Sequence, residues 1–99
     1  MEKHTPHYSL VEIQAQMITV QAMNLTVSAI TGIRLIGMSQ MDALSVIQGL
    51  TRKHFYKSMT TYTDNSVWQD VYHGYWNNIA LYVKFQQASE YFIISFKEL

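Results

Sequence analysis

The sequence predicts an α+β fold, with a helical N-terminal half packed on a C-terminal antiparallel four-stranded sheet. Three observations predict it. Apolar residues recur at helical spacing as far as Gly49, and after Thr51 the period changes to two. Turn residues then divide the second half at Thr63-Asp64-Asn65, at Gly74 with Asn77-Asn78, and at Gln87 to Glu90. Helices followed by a strand meander define the α+β class. A chain of 99 residues accommodates one core, so a single domain spanning 1–99 is expected.

The helical half carries explicit start signals. Ser9 and Glu12 have capping-box spacing, and Tyr8 and Ile13 stand where a hydrophobic staple would close over the helix end. Leu10, Ile13 and Met17 then predict a first helix from about residue 10 to 21. Met23-Asn24-Leu25 reads as an extended link. Thr26 caps a second helix running to about Leu35, although its Gly32 costs about 1 kcal/mol relative to alanine. Gly37 stops that helix. Ser39 opens a third, with Asp42 near its positive end and Gly49 at its close. Met41, Leu44, Ile47 and Val46 form the expected buried stripe, and the methionines read as core filler rather than a ligand surface.

The strands are expected at Phe55 to Tyr62, Ser66 to His73, Leu81 to Gln86 and Tyr91 to Lys97. In the third, Leu81, Val83 and Phe85 alternate with Tyr82, Lys84 and Gln86. In the fourth, Phe92, Ile94 and Phe96 are the apolar set, and the helices should cover that side.

Composition narrows the function classes. Hydrophobic residues make up 48% and charged ones 14%, which excludes a disordered chain. The absence of cysteine excludes disulfides, thiolate zinc sites and a cysteine nucleophile. No apolar run approaches the ~20 residues of a membrane helix. The polar start Met1-Glu2-Lys3-His4-Thr5-Pro6 lacks the apolar core of a signal peptide. A cytoplasmic protein without membrane contact is expected. Formal net charge is zero, so any surface for a polyanion must be local. Arg52, Lys53, Lys57, Lys84 and Lys97 all fall in the second half.

Strand parity places Tyr82, Lys84, Ser95 and Lys97 on the face away from the helices, with Lys57 and Met59 sharing one face of the first strand and Gln69 and Val71 one face of the second. A one-sided sheet gathers Lys57, Gln69, Tyr82, Lys84 and Lys97 on one surface. Periodicity alone favours a solvated sheet face over an active site. As chemistry, the set suits RNA cleavage with the ribose 2′-hydroxyl as internal nucleophile, which needs a base, an acid and a cation for the phosphorane oxygens. Lys and Tyr, with ordinary pKa values of ~10.4 and ~10, are poor bases at neutral pH unless clustered lysines depress one another. His4, His7, His54 and His73 include no pair at helical metal-ligand spacing, so neither a metal site nor any cofactor is expected. His73 reads either as an acid/base participant at a strand end or as a turn residue.

Phe55-Tyr56-Lys57-Ser58-Met59-Thr60-Thr61-Tyr62, followed by Trp68-Gln69-Asp70-Val71-Tyr72 and the ending Ser95-Phe96-Lys97-Glu98, closely resembles the MqsR toxins. Met1-Glu2-Lys3 and Thr5-Pro6-His7 resemble them too, and the spacing matches over nearly the full length. The resemblance implies a RelE-like fold and a toxin of a type II toxin–antitoxin system. Such a toxin cleaves single-stranded mRNA at GCU-type sites without a ribosome and arrests growth. It further implies an MqsA-type antitoxin, with a zinc-binding domain and a helix-turn-helix repressor domain, through which alone the toxin meets DNA. The family's catalytic lysine, glutamine and tyrosine fall on Lys57, Gln69 and Tyr82, and further active-site positions fall on Tyr56, Met59 and Lys97. Tyr56 has the wrong parity for a regular strand. His73 replaces an arginine often found after the DVY segment, and a family histidine is replaced near Ser89. The competing expectation is a catalytically weak or inactive relative that serves as an antitoxin-binding co-regulatory domain.

Overall fold

The computed structural model describes residues 1–99. Its strands are β1 (Glu2–Lys3), β2 (Phe55–Thr60), β3 (Trp68–Trp76), β4 (Ile79–Ala88) and β5 (Tyr91–Glu98), and its helices are α1 (Leu10–Gln16), α2 (Val27–Leu35) and α3 (Gln40–Gly49). Short 3-10 turns lie at Val20–Ala22 and Arg52–His54. The strands form one antiparallel sheet in the order β1-β2-β3-β4-β5, with the helices on one face. The α+β class is as expected, but the sheet has five strands and not four. The additional strand is the polar N-terminal segment, where Glu2 pairs with Met59 and Lys3 with Ser58. Two residues are too few to show an alternation, so β1 is defined only by the edge it covers.

The first helix ends at Gln16 and not near residue 21. The β-branched run Ile18-Thr19-Val20 disfavours helix, and the chain turns through a 3-10 segment whose Ala22 amide donates to Thr19 Oγ1 at 3.2 Å. Ser9 Oγ accepts from the Glu12 amide at 3.3 Å. The fully reciprocal capping box is at α3, where the Ser39 amide donates to Asp42 at 2.9 Å and the Asp42 amide to Ser39 Oγ at 3.0 Å. Hydrogen bonding from the Ser39 amide, and secondarily from its side chain, holds the Asp42 carboxyl below its ordinary pKa. Thr26 caps α2 as expected. The link before it runs beside β5, with the Ile94 amide donating to Asn24 O at 2.9 Å and the Thr26 amide to Ile94 O at 3.0 Å, so part of that sheet edge is covered.

Leu81, Val83, Phe85, Phe92, Ile94 and Phe96 are all buried beneath the helices, against Ile13, Met17, Ile33 and Ile47. Met17, Met23 and Met38 are core residues, but Met41 is 63% exposed and Ala43 takes its place in the α3 stripe. β3 continues through Gly74 to Trp76. The turn is the pair Asn77-Asn78, both at positive φ (49° and 66°), the conformation of a tight two-residue hairpin. Gly74 stays in the strand, paired with Leu81, and lies close under α3: a Cβ there would lie 3.2 Å from Val46 Cγ1.

Gly32 is where α2 meets β5. A Cβ at this position would stand 2.9 Å from the Phe96 carbonyl oxygen, a backbone atom that cannot swing aside. Gly32→Ala is therefore expected to destabilise the protein by about 1–3 kcal/mol despite alanine's higher helix propensity, measured by urea unfolding.

Asp70 is fully buried at the N-terminal end of β3. Its carboxylate accepts from the His7 amide (3.1 and 3.0 Å), the Tyr8 amide (2.9 Å) and Ser58 Oγ (2.6 Å). Tyr8 Oη donates to Trp68 O at 2.7 Å. This latch anchors the N-terminal segment and with it β1. The Tyr72 hydroxyl is buried without a hydrogen-bond partner, and desolvation pushes its pKa up to about 12. No helix is long and apolar enough to cross a membrane.

Candidate active site

The face opposite the helices is a grid set by strand register. One row reads Glu2, Met59, Gln69, Gln86 and Ile93 across β1 to β5. The next reads Lys57, Val71, Lys84 and Ser95, and the third His73, Tyr82 and Lys97. Rows are two residues apart, about 7 Å along a strand. Val71, at the centre, has no exposed surface, so the polar side chains around it form a floor rather than a scatter of solvated groups.

Tyr56 joins this face through a β-bulge. Phe55 pairs with Tyr72 and Lys57 with the adjacent Val71, so the register slips across Tyr56. The extra residue lets Phe55 point into the core, where it packs edge-on against Tyr72 at 5.4 Å, while Tyr56 and Lys57 both face the grid. Tyr56 stacks on His73 at 4.3 Å and 24°. His73 lies 6.2 Å from the Tyr82 ring, and Lys97 Nζ sits 4.8 Å above that ring. His73 is thus neither a turn residue nor at a strand end, since β3 extends three residues beyond it.

Lys57, Gln69, Tyr82, Tyr56, Met59, His73, Lys84 and Lys97 thus share one face. They are not all in contact. Gln69 Nε2 donates to Gln86 Oε1 at 2.7 Å and makes no bond to Lys57 or Tyr82. A depression of about 180 Å³ beside Tyr82 is lined by Ser28, Lys84, Ser95, Phe96 and Lys97. Three concavities are larger: one of about 330 Å³ lies at the β1–β2 edge and is lined by Glu2, Met59 and Tyr62, one lies between α3 and β3 at Val46 and Trp76, and one runs along Leu25 and Ile93.

Lys57 Nζ donates to Glu2 Oε1 at 2.6 Å, with the lysine side chain 21% exposed and the glutamate 54%. Through this hydrogen bond the Lys57 pKa is raised and that of Glu2 lowered. The expected depression of lysine pKa values falls instead on Lys84, where burial and then the Lys97 charge favour the neutral amine. Burial pushes the Tyr82 phenol up, so it stays protonated at neutral pH. Lys57 is thus held as a cation and Tyr82 as a neutral phenol. Glu2 escaped the sequence reading because nothing in a polar terminal tripeptide marks a strand. No three His, Asp or Glu side chains cluster so as to hold a metal ion.

The family model described as motility quorum-sensing regulator, toxin of MqsA, matches residues 5–98. The chain is also 37% identical over 98 residues to the mRNA interferase toxin MqsR of Escherichia coli (strain K12), covering 99% of both chains. These matches place the chain in the class of enzymatic toxins. The chain belongs to the MqsR toxin family.

Proposed function

We propose that this protein is an endoribonuclease that cleaves single-stranded mRNA at GCU-like sites, needing neither a metal ion nor a ribosome, on a RelE-like scaffold. The observation that carries it is the placement of Lys57 and Tyr82 on one open, cationic sheet face, with Gln69 one strand away from each. The bond-making step is attack of the ribose 2′-oxygen on the adjacent phosphorus, with loss of the 5′-oxygen. The Lys57 ammonium stabilises the phosphorane oxygens, the Tyr82 phenol protonates the departing 5′-oxygen, and Gln69 orients the chain by hydrogen bonding. Lys84 and Lys97 attract flanking phosphates, and Tyr56, stacked on His73 and 49% exposed, offers an aromatic surface to an unpaired base. The GCU preference rests on the family resemblance alone.

An MqsA-type antitoxin, zinc-binding and carrying a helix-turn-helix domain, is the proposed partner that restrains the enzyme and links it to DNA. Family membership as a toxin of MqsA supports this. Purified protein is expected to cleave an unstructured RNA in EDTA, leaving 2′,3′-cyclic phosphate ends. Activity abolished by chelator and restored by a divalent metal would overturn the metal-free mechanism. The competing reading, an inactive relative, draws on the neutral net charge. Expression without antitoxin separates the two: the enzyme halts growth, and an inactive relative does not.

A further inference from the structure

The reaction above has a cation and an acid but no base, since Lys57 and Tyr82 both remain protonated. We propose that Glu2 is the group that accepts the 2′-hydroxyl proton, delivered to the site by β1. This rests on the ribonuclease reading and completes its proton balance. The 2′-oxygen bonds to phosphorus, its proton passes to the Glu2 carboxylate, the bond from phosphorus to the 5′-oxygen breaks, and that oxygen takes the Tyr82 proton.

Geometry carries the assignment. Glu2 is the only carboxylate on this face of the sheet, and its Oε1 lies 2.6 Å from Lys57 Nζ. A phosphate drawn to that ammonium necessarily arrives beside the carboxylate. Strand order sets Glu2 on β1 and Tyr82 on β4, with Lys57 on β2 between them. Register also separates them along the strands, Glu2 in the Met59 row and Tyr82 in the His73 row, with the Lys57 row between. Base and acid thus flank the cation from opposite sides, as in-line displacement at phosphorus requires.

The charged and titratable groups acting on Glu2 are Lys57 from β2 and, on its own segment, His4 and the Met1 ammonium; Glu2 in turn acts on the more distant Tyr82. The cations keep the carboxylate ionised. His73 also carries a basic nitrogen on this face, but its ring is stacked on Tyr56 in the row that holds Tyr82, on the acid's side of Lys57.

The test measures cleavage of an unstructured RNA in EDTA by the wild-type protein, Glu2→Gln and Glu2→Ala, alongside binding of the same RNA carrying 2′-deoxy substitutions. Glu2→Gln should cleave about a hundredfold or more slowly while binding the uncleavable RNA at least as tightly as wild type. Added formate should restore a measurable part of the rate of Glu2→Ala, which a merely structural carboxylate would not permit. Should either variant misfold, Glu2→Asp, retaining a displaced carboxylate, is expected to fold and to cleave at an intermediate rate. Wild-type cleavage by Glu2→Gln, or a faster rate, would overturn the assignment and make Glu2 only a restraint on Lys57. Absence of cleavage by the wild-type protein would overturn the ribonuclease reading itself, and the Glu2 role with it.

Discussion

Replacing Lys57 by alanine is expected to slow RNA cleavage by about 10²–10³-fold while the melting temperature stays nearly unchanged. Removing one preorganised charge donor from a developing oxyanion costs an enzyme roughly that factor. The fold loses little, because an ion pair this exposed contributes little to stability. Tyr82→Phe should give a loss of similar order. It removes only the transferable proton and keeps the ring beneath Lys97. Initial rates paired with thermal melts check both. A Lys57→Ala protein cleaving at the wild-type rate would remove the amine from the mechanism.

The largest stability effect is expected at Asp70. Asp70→Ala would strand the amides of His7 and Tyr8 and the Ser58 hydroxyl, all of which donate to its carboxylate. Unsatisfied buried donors cost about 1–3 kcal/mol each, so a total of about 3 kcal/mol or more is expected after partial hydration. For a domain of this size that lowers the melting temperature by roughly 12 °C or more. Because the same bonds anchor the segment bearing Glu2, the folded fraction should also lose cleavage activity. Chemical denaturation together with cleavage rates below the transition would show both effects. A variant as stable as the wild type would refute the latch.

Much of the site was legible in the sequence because parity is a strong constraint once one strand face is apolar. Leu81, Val83 and Phe85 determine where Tyr82 and Lys84 must point, and Phe92, Ile94 and Phe96 do the same for Lys97. Legibility ended where local pattern carries no periodicity. Glu2 lies in a strand of two residues, specified by the open edge of β2 and by Asp70 gripping the chain a few residues on. Met41 has the spacing of a core residue yet is exposed, because helical spacing defines a stripe and not its edges. The roles of the lysines were also inaccessible. Which amine is stabilised as a cation depends on whether a carboxylate or another lysine faces it, and that partner came from the far end of the chain.

The bulge at Tyr56 makes this surface sensitive to the number of residues as well as to their kind. Phe55 and Lys57 are two apart and would share a side in an unbroken strand, yet one belongs among oils and the other at water. Deleting Tyr56 would make them neighbours of opposite orientation without any bulge, sparing the amine its location but removing the stacked ring. Inserting a residue after Lys57 instead would force either that amine or Ser58 with its Asp70 contact onto the wrong side. Substitutions in this stretch are graded injuries, whereas an insertion that no second bulge absorbs exchanges the two faces.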